Sequence, residues 1–504
     1  MINFTPLFRN HFLDRLQEHA RYIDHADAVQ QGELVRLIEK AALSRIGRKY
    51  DFSSIRTYRQ FASTLPLYSY EDLQPYIMRM INGAKDELWP GRCMNFAQSS
   101  GTSGRSKYIP VTRESFKWNH YQGSSDVVSH YLNLNPSSRL FSGKAFILGG
   151  SFANNLQLPR GVRVGDLSAN LIENMNPLAN MVRVPSLQVA LMEDWTKKLP
   201  LLVDAAIGED VTNLSGVPSW FLTVLREVLK KTGKSCIHEV WPNLEVFFHG
   251  GITFEPYREQ YEEICDMDKM HFLDTYNASE GFFAVQSSWE SQAMLLLLDV
   301  GVFFEFLPIE ESGSETPEVY PVWEIEQGRT YELVITAANG LWRYRIGDTV
   351  TIEQLNPVKI TIAGRTHSFI NAFGEELMVH NADHAVTLAS QETGAEVLNY
   401  TAAPVYSAGG KSGYHQWLIE FERQPSDTGR FMQLLDRHLR EVNSDYDAKR
   451  TGDIFLAPPV LTVAPDGLFD RWLASTGKLG GQRKVPRLNN DRTIIDQLLA
   501  LMDK

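Results

Sequence analysis

Cysteine is scarce in this chain: three occur in 504 residues, Cys93, Cys236 and Cys265, with no metal-ligand spacing between them. That excludes a disulfide scaffold and a paired-cysteine zinc site, and it points to a reducing, cytoplasmic compartment. Long hydrophobic runs are missing too. The most apolar stretch, Ala293 to Pro308, is interrupted by Asp299, Gly301 and Glu305 and is too short to span a bilayer, so it reads as buried strands. The N-terminal Met1-Ile2-Asn3-Phe4-Thr5-Pro6 has no basic region followed by an apolar core, which argues against a signal peptide. Positive charge is in deficit, with 49 Lys and Arg against 61 Asp and Glu and a formal charge of −12. This balance argues against a nucleic-acid or membrane-surface partner, and any site for a small anion has to be built locally. Neither an internal repeat nor a low-complexity segment is present.

What is present is the composition of a globular protein, 43% hydrophobic and 22% charged, in a chain long enough for at least two domains. Apolar residues from Leu13 to about Ser44 recur at helical spacing and predict one or two scaffold helices. Ser69 is placed to cap a helix carrying Tyr76 to Met80. Three strand-like runs end in turns: Lys144 to Leu148 in Gly149-Gly150, Leu244 to Phe248 in His249-Gly250-Gly251, and Phe272 to Tyr276 in Asn277-Ala278-Ser279-Glu280-Gly281. With the helix expected over Ser219 to Lys231, they predict an α/β sandwich of mainly parallel strands whose turns meet over one site at the carboxyl ends. Beyond residue 294 closely spaced strands predict an antiparallel or barrel-like subdomain. A junction near Gly364 to Gly374 leaves enough chain for a small C-terminal α/β domain opened by a helix over Val379 to Ala389.

The stretch richest in chemistry is Gln98-Ser99-Ser100-Gly101-Thr102-Ser103-Gly104-Arg105-Ser106-Lys107. Small residues let backbone N–H groups converge on an anion, the hydroxyls add donors, and Lys107 adds charge, so the loop reads as a phosphate grip, with a strand leaving it at Tyr108 to Val111. It does not satisfy the Walker pattern, because no glycine stands immediately before the lysine and no helix opens after it. Further pieces suit a nucleotide: Tyr276 through Glu280 combines a ring, a hydroxyl and a carboxylate, Tyr344-Arg345-Ile346-Gly347-Asp348 ends in a carboxylate fit for ribose hydroxyls, and Gly481 to Arg487 carries Lys484. Taken singly, each reads as a structural turn.

In this order they resemble the adenylate-forming superfamily and, more closely, its GH3 branch of acyl acid amido synthetases. The match rests on Ser99-Ser100-Gly101-Thr102-Ser103 with Lys107, Tyr276 to Glu280, Phe303 to Pro308, Gly340-Leu341-Trp342-Arg343-Tyr344-Arg345-Ile346-Gly347-Asp348, and Gln482, Lys484, Pro486 and Arg487. Leu65-Pro66-Leu67 with Tyr70 to Leu73 is similar to the family's N-terminal region. The resemblance implies a large adenylate-forming domain over residues 1–370 and a small mobile C-terminal domain over 371–504. It implies ATP and Mg2+, with Ser99, Ser100, Gly101, Thr102, Ser103 and Lys107 around the phosphates, and Gly250, Gly251 and Tyr276 by the adenine. It also implies Glu280 on the metal, Asp348 on the ribose, Thr275, Ser279 and Arg365 among the nucleotide contacts, and Lys484 as the mobile catalytic lysine. The first loop is one residue shorter than in plant members, and His367 stands where many relatives carry a hinge aspartate.

The activity implied is adenylation of a small carboxylic acid followed by transfer to an amino acid; a CoA ligase and a silent nucleotide-binding homologue are the alternatives. Oligomeric state and both substrates stay open. His249 reads as a core or turn histidine or as a base for the amine, and Trp118, Tyr121 and Phe221 as core or as walls of an acyl pocket. His415 with Trp417 reads as a strand, and Glu310-Glu311 and Glu375-Glu376 read as solvated turns.

Overall fold

The structure is a computed structural model that describes residues 3–99, 107–154, 156–252, 254–314, 316–365, 369–406, 412–475 and 485–502. Its largest feature is a twelve-stranded sheet. The parallel part runs from the edge strand Arg183–Val184 through Lys144–Ile147, Val211–Gly216 and Val246–Gly250 to His271–Ala278. Antiparallel strands follow without a break: Gly281–Gln286, Met294–Leu296, Val358–Arg365, Tyr344–Leu355, Thr330–Ala337, Val302–Pro308 and Tyr320–Pro321. Antiparallel pairing therefore begins at Gly281, ahead of the change of sequence texture near residue 294, and continues within the same sheet.

Both faces of the parallel part are covered, which is why its strands read as continuous apolar runs. Neighbouring residues on a strand point to opposite faces. Phe247 packs with Leu202, Phe221 and Leu225 of the helices Trp195–Ile207 and Pro218–Thr232, while Val246 packs with Val127 and Tyr131 of the helix Tyr121–Leu134. The N-terminal helices Thr5–Ala20 and Tyr22–Ala41 are fixed by polar contacts, Arg15 to Asp126 and Asp299 and the Gln30 amide to the Leu298 and Val302 carbonyls. A second, three-stranded sheet joins Asn95–Ser99 to Lys107–Val111 and Arg163–Gly165.

Past Phe369–Ile370 and Leu377–Met378 the chain builds a small sheet of Glu396–Val405, Tyr414–Arg423 and Val460–Ala464. Helices Val379–Thr393 and Thr428–Val442 cover one face, and Leu468, Trp472, Ile495 and Leu498 pack against Leu418 on the other. Glu375 corrects the solvated-turn reading. It is fully buried, with its carboxylate accepting from the Ala372 N–H at 3.2 Å and the Phe373 N–H at 2.6 Å, and with His415 Nε2 at 2.7 Å. Backbone donors and an imidazole offset the cost of taking that carboxylate out of water.

Candidate functional site

The carboxyl ends of the parallel strands converge as the strand-and-turn pattern predicts. In the ladder Gly216 pairs with His249 and Gly250 with Thr275. Residue 250 has to be glycine, because a Cβ there would lie 2.4 Å from the Thr275 carbonyl oxygen and 2.7 Å from its Oγ1. Gly251 follows at φ +84°, and Thr275 Oγ1 donates to the His249 carbonyl at 2.8 Å. The result is a bare backbone ledge onto which a flat group can settle.

Tyr276 and Asp348 meet beside this ledge. The tyrosine hydroxyl donates to Asp348 Oδ2 at 2.8 Å across 72 residues of sequence, and both side chains are buried. Gly347, at φ +88°, turns the strand so that Asp348 comes into position, and Asp348 pairs in register with Arg365. Ser279 and Glu280 form the two-residue connection between His271–Ala278 and Gly281–Gln286; Glu280 is buried, and its carbonyl accepts from the Asn339 amide at 2.8 Å.

The phosphate-grip segment joins the two strands of a hairpin in which Ser99 pairs with Lys107. Ser100, Gly101, Thr102, Ser103 and Lys484 lie outside the described residues, as does the side chain of Arg365. The Lys107 ammonium is 5.8 Å from the centre of the Tyr70 ring, and the Tyr70 hydroxyl accepts from the Tyr108 N–H at 2.8 Å.

Tyr70 belongs to a relay that sequence reasoning did not resolve. Tyr68 bonds through its backbone to Arg343 and Arg345, at 2.9 and 3.0 Å, so the Leu65 to Tyr70 segment connects the hairpin to the strand of Asp348. Arg343, itself in the left-handed region at φ +41°, secures the segment: its guanidinium donates to the Ala62 and Leu65 carbonyls at 2.8 and 2.7 Å and to the fully buried Glu305 at 2.8 Å. Trp342 packs 4.6 Å from the Phe52 ring and donates to the Leu88 carbonyl. The most specific part of the sequence match is therefore largely the frame that holds Asp348.

Other candidates resolve into structure. His249 is stacked 4.4 Å from Phe254, its Nδ1 is 3.5 Å from Asp274, and burial holds its pKa down at about 3, which makes it a poor base. Burial pushes Asp274 up to about 7, with the Thr275 N–H working against it. Phe221 is core, packed on Phe146 and Phe247, and Trp118 lies under Arg36 at 3.9 Å. Tyr121, stacked on Phe116, lines a cavity of about 530 Å³ with Trp89, Met94 and Val111. That cavity is at the Asn95 and Val111 end of the hairpin, about 13 Å along the strands from Ser99 and Lys107. Among the described residues, no cluster of three or more His, Cys, Asp or Glu side chains is arranged to hold a metal ion, and no helix is long and apolar enough to cross a membrane.

Family models match most of the chain. The GH3 family N-terminal domain matches residues 15–199 and 137–270, the central domain 295–365, and the C-terminal domain 380–493. The indole-3-acetic acid-amido synthetase GH3.4 of Arabidopsis thaliana is 22% identical over 535 residues, covering 92% of this chain and 89% of the relative. A structure of the AtGH3.15 acyl acid amido synthetase in complex with 2,4-DB superposes with a TM-score of 0.62 at 19% identity, covering 99% of this chain and 97% of the other. A 2-hydroxyisobutyryl-CoA ligase in complex with 2-HIB-AMP and CoA reaches 0.58 at 13% identity over 95% and 92% of the two chains.

Proposed function

The chain belongs to the GH3 family, and on that premise we propose that it is an ATP- and Mg2+-dependent acyl acid amido synthetase joining a small carboxylic acid to an amino acid. The observation that carries the reading is the Tyr276–Asp348 bond beside the Gly250–Thr275 ledge, which brings a ring, a carboxylate and a bare backbone surface together as a nucleoside requires. Tyr276, with Gly250, Gly251 and Thr275, takes the adenine side and Asp348 the ribose. Ser99 to Ser103 and Lys107 take the phosphates, with Ser279 and Arg365 at the margin of the nucleotide. Glu280 suits an ion that uses one carboxylate and takes its other ligands from phosphate and water. We assign residues 1–370 to the adenylating domain and 371–504 to a mobile domain that supplies Lys484, in a cytoplasmic enzyme.

In the first step a carboxylate oxygen attacks the α-phosphorus of ATP, the bond to the β-phosphate oxygen breaks, and pyrophosphate leaves. Fixed donors around the phosphates lower that barrier by stabilising the charge on the departing group. In the second, the lone pair of an amine attacks the acyl carbonyl carbon, the bond to AMP breaks, and the amine proton passes to water or a base. The test is pyrophosphate release that needs both ATP and a carboxylic acid, followed by product mass with amino acids and CoA as competing acceptors. Amino-acid conjugates are expected. A CoA thioester as sole product would replace the amide reading, and ADP in place of AMP would end the adenylation mechanism.

A further inference from the structure

Two lysine ammonium groups are buried where the C-terminal unit meets the large sheet. Lys198, on the helix Trp195–Ile207, is fully buried; its Nζ donates to the Gly149 carbonyl at 2.5 Å and lies 4.6 Å from the centre of the Trp195 ring. Lys449, on the helix Ser444–Arg450, is 4% exposed, and its Nζ sits 3.7 Å over the ring of Trp220. A notch at Gly374 admits it, since a Cβ there would come within 3.1 Å of the lysine Cε. Among the described residues no carboxylate oxygen lies within 4.0 Å of either Nζ, and no hydrogen bond reaches that of Lys449. Burial holds both ammonium groups below the ordinary lysine range, Lys198 at about 8.

A buried ammonium with no carboxylate in direct contact carries a desolvation cost that more distant charges offset only in part, and an apolar side chain of the same length would avoid that cost. The position of the pair suggests what offsets it. Val217 lies 3.6 Å from where a Cβ of Gly251 would stand, and Ser219 Oγ donates to the Phe373 carbonyl at 3.3 Å, so Trp220 follows within a few residues of the contact with the nucleotide ledge and carries Lys449 over its ring. Gly149, the acceptor of Lys198, lies just past the end of the strand Lys144–Ile147, two places along the same carboxyl edge. Asp166 is close to both lysines, with its Oδ2 accepting from the Ser151 N–H at 2.6 Å. Asp445, Glu375 and Glu376 act favourably on the Lys449 charge from beyond ion-pair distance. A site carrying both signs suits a zwitterion better than a simple anion.

We propose that Lys198 and Lys449 form the acceptor site, where they bind the α-carboxylate of the incoming amino acid at the junction of the two domains. This inference rests on the amide-forming reading. Its test uses the full-length protein, the twenty standard amino acids as acceptors, and the α-amide of each one consumed. The wild type is expected to use the amino acid about tenfold or more better than its α-amide. In Lys449→Met and in Lys198→Met that preference should fall about tenfold, beyond any change in acid-dependent ATP–pyrophosphate exchange, with a Tm no lower than the wild type for Lys449→Met. An unchanged preference in both variants, with amide still formed, overturns the inference and leaves the function standing. So does a Tm loss of several degrees in both, which would make the lysines structural struts. Absence of acid-dependent exchange in the wild type would overturn the function, and the acceptor site with it.

Discussion

Asp348 has two tasks that substitution can separate. It is the expected ribose acceptor and the observed acceptor for the buried Tyr276 hydroxyl at 2.8 Å. Asp348→Asn keeps an oxygen for the tyrosine and removes the charge, so ATP affinity should fall about tenfold with little change in Tm. Asp348→Ala also strands the hydroxyl, adding about 1–3 kcal/mol of destabilisation. Titration with a non-hydrolysable ATP analogue checks both variants; unaltered affinity in both would move the ribose elsewhere. Glu33 offers a second measurement. Burial raises its pKa from 4.5 to about 7, although Arg36 and the Gly301 N–H pull the other way. A carboxyl whose folded pKa is raised binds its proton more tightly in the native state, so its contribution is present below pH 4.5 and is lost as pH rises to about 7. Glu33→Gln should remove a loss on the order of 2–3 kcal/mol across that window. Urea melts at pH 4.5, 6 and 7.5 read the difference between the two proteins, and a constant difference would place the Glu33 pKa outside the window.

At the level of elements, the ion pair between Arg343 and Glu305 joins the Leu65 to Tyr70 segment to the antiparallel strands and so helps set the distance from the hairpin to Asp348. Glu305→Gln leaves a buried guanidinium without its charge partner, which costs about 3–5 kcal/mol. Pairing it with Arg343→Met should recover part of that loss, a coupling that a double-mutant cycle by denaturant unfolding would measure; strictly additive losses would mean that the two side chains do not depend on each other. Local elements of this region were legible in the sequence. Ser69 and Asp72 form the reciprocal cap of the helix Tyr70–Ile81, and Pro218 opens Pro218–Thr232, because caps and periodicity are written within a few residues. The three strand-end turns also lie along one carboxyl edge of the parallel strands, as their pattern implies. Pairings at long range left no such trace. Arg343 and Glu305 are 38 residues apart, His415 and Glu375 are 40 apart, and Tyr276 and Asp348 are 72 apart. No period connects such partners, so Glu375 looked like a surface turn and the Gly340 to Asp348 run gave no sign of which distant residues it would brace against.

For the whole molecule, the proposed assignment requires one lysine on a small domain to serve a site on the large one, and an acceptor then to reach the adenylate. Movement of the small domain would satisfy both requirements. The bonds across the junction are unevenly placed. Asn371 to the Gly251 carbonyl at 3.2 Å, Ser219 to Phe373 at 3.3 Å and Tyr257 to Ala372 at 2.5 Å all involve residues 371–373, where a rotation displaces atoms least. Farther along the chain, Phe455 packs 4.8 Å from Trp195 and 5.9 Å from Trp220, and Lys449 covers the Trp220 ring. Those aromatic contacts have to break if the domain turns. Fluorophores on Lys230→Cys and Gln433→Cys, both exposed positions, in a Cys236→Ser background would report the motion, since Cys93 and Cys265 are buried. Energy transfer should change when ATP and a carboxylic acid are added together, and not with either alone. Lys484→Ala should lower pyrophosphate exchange by about 10²–10³ with Tm unchanged, and it should suppress the change in transfer if forming the adenylate drives the rotation. Transfer that stays constant in the wild type through complete turnover would mean that the two domains work as one rigid body, and Lys484 would then have to serve the reaction from a fixed position.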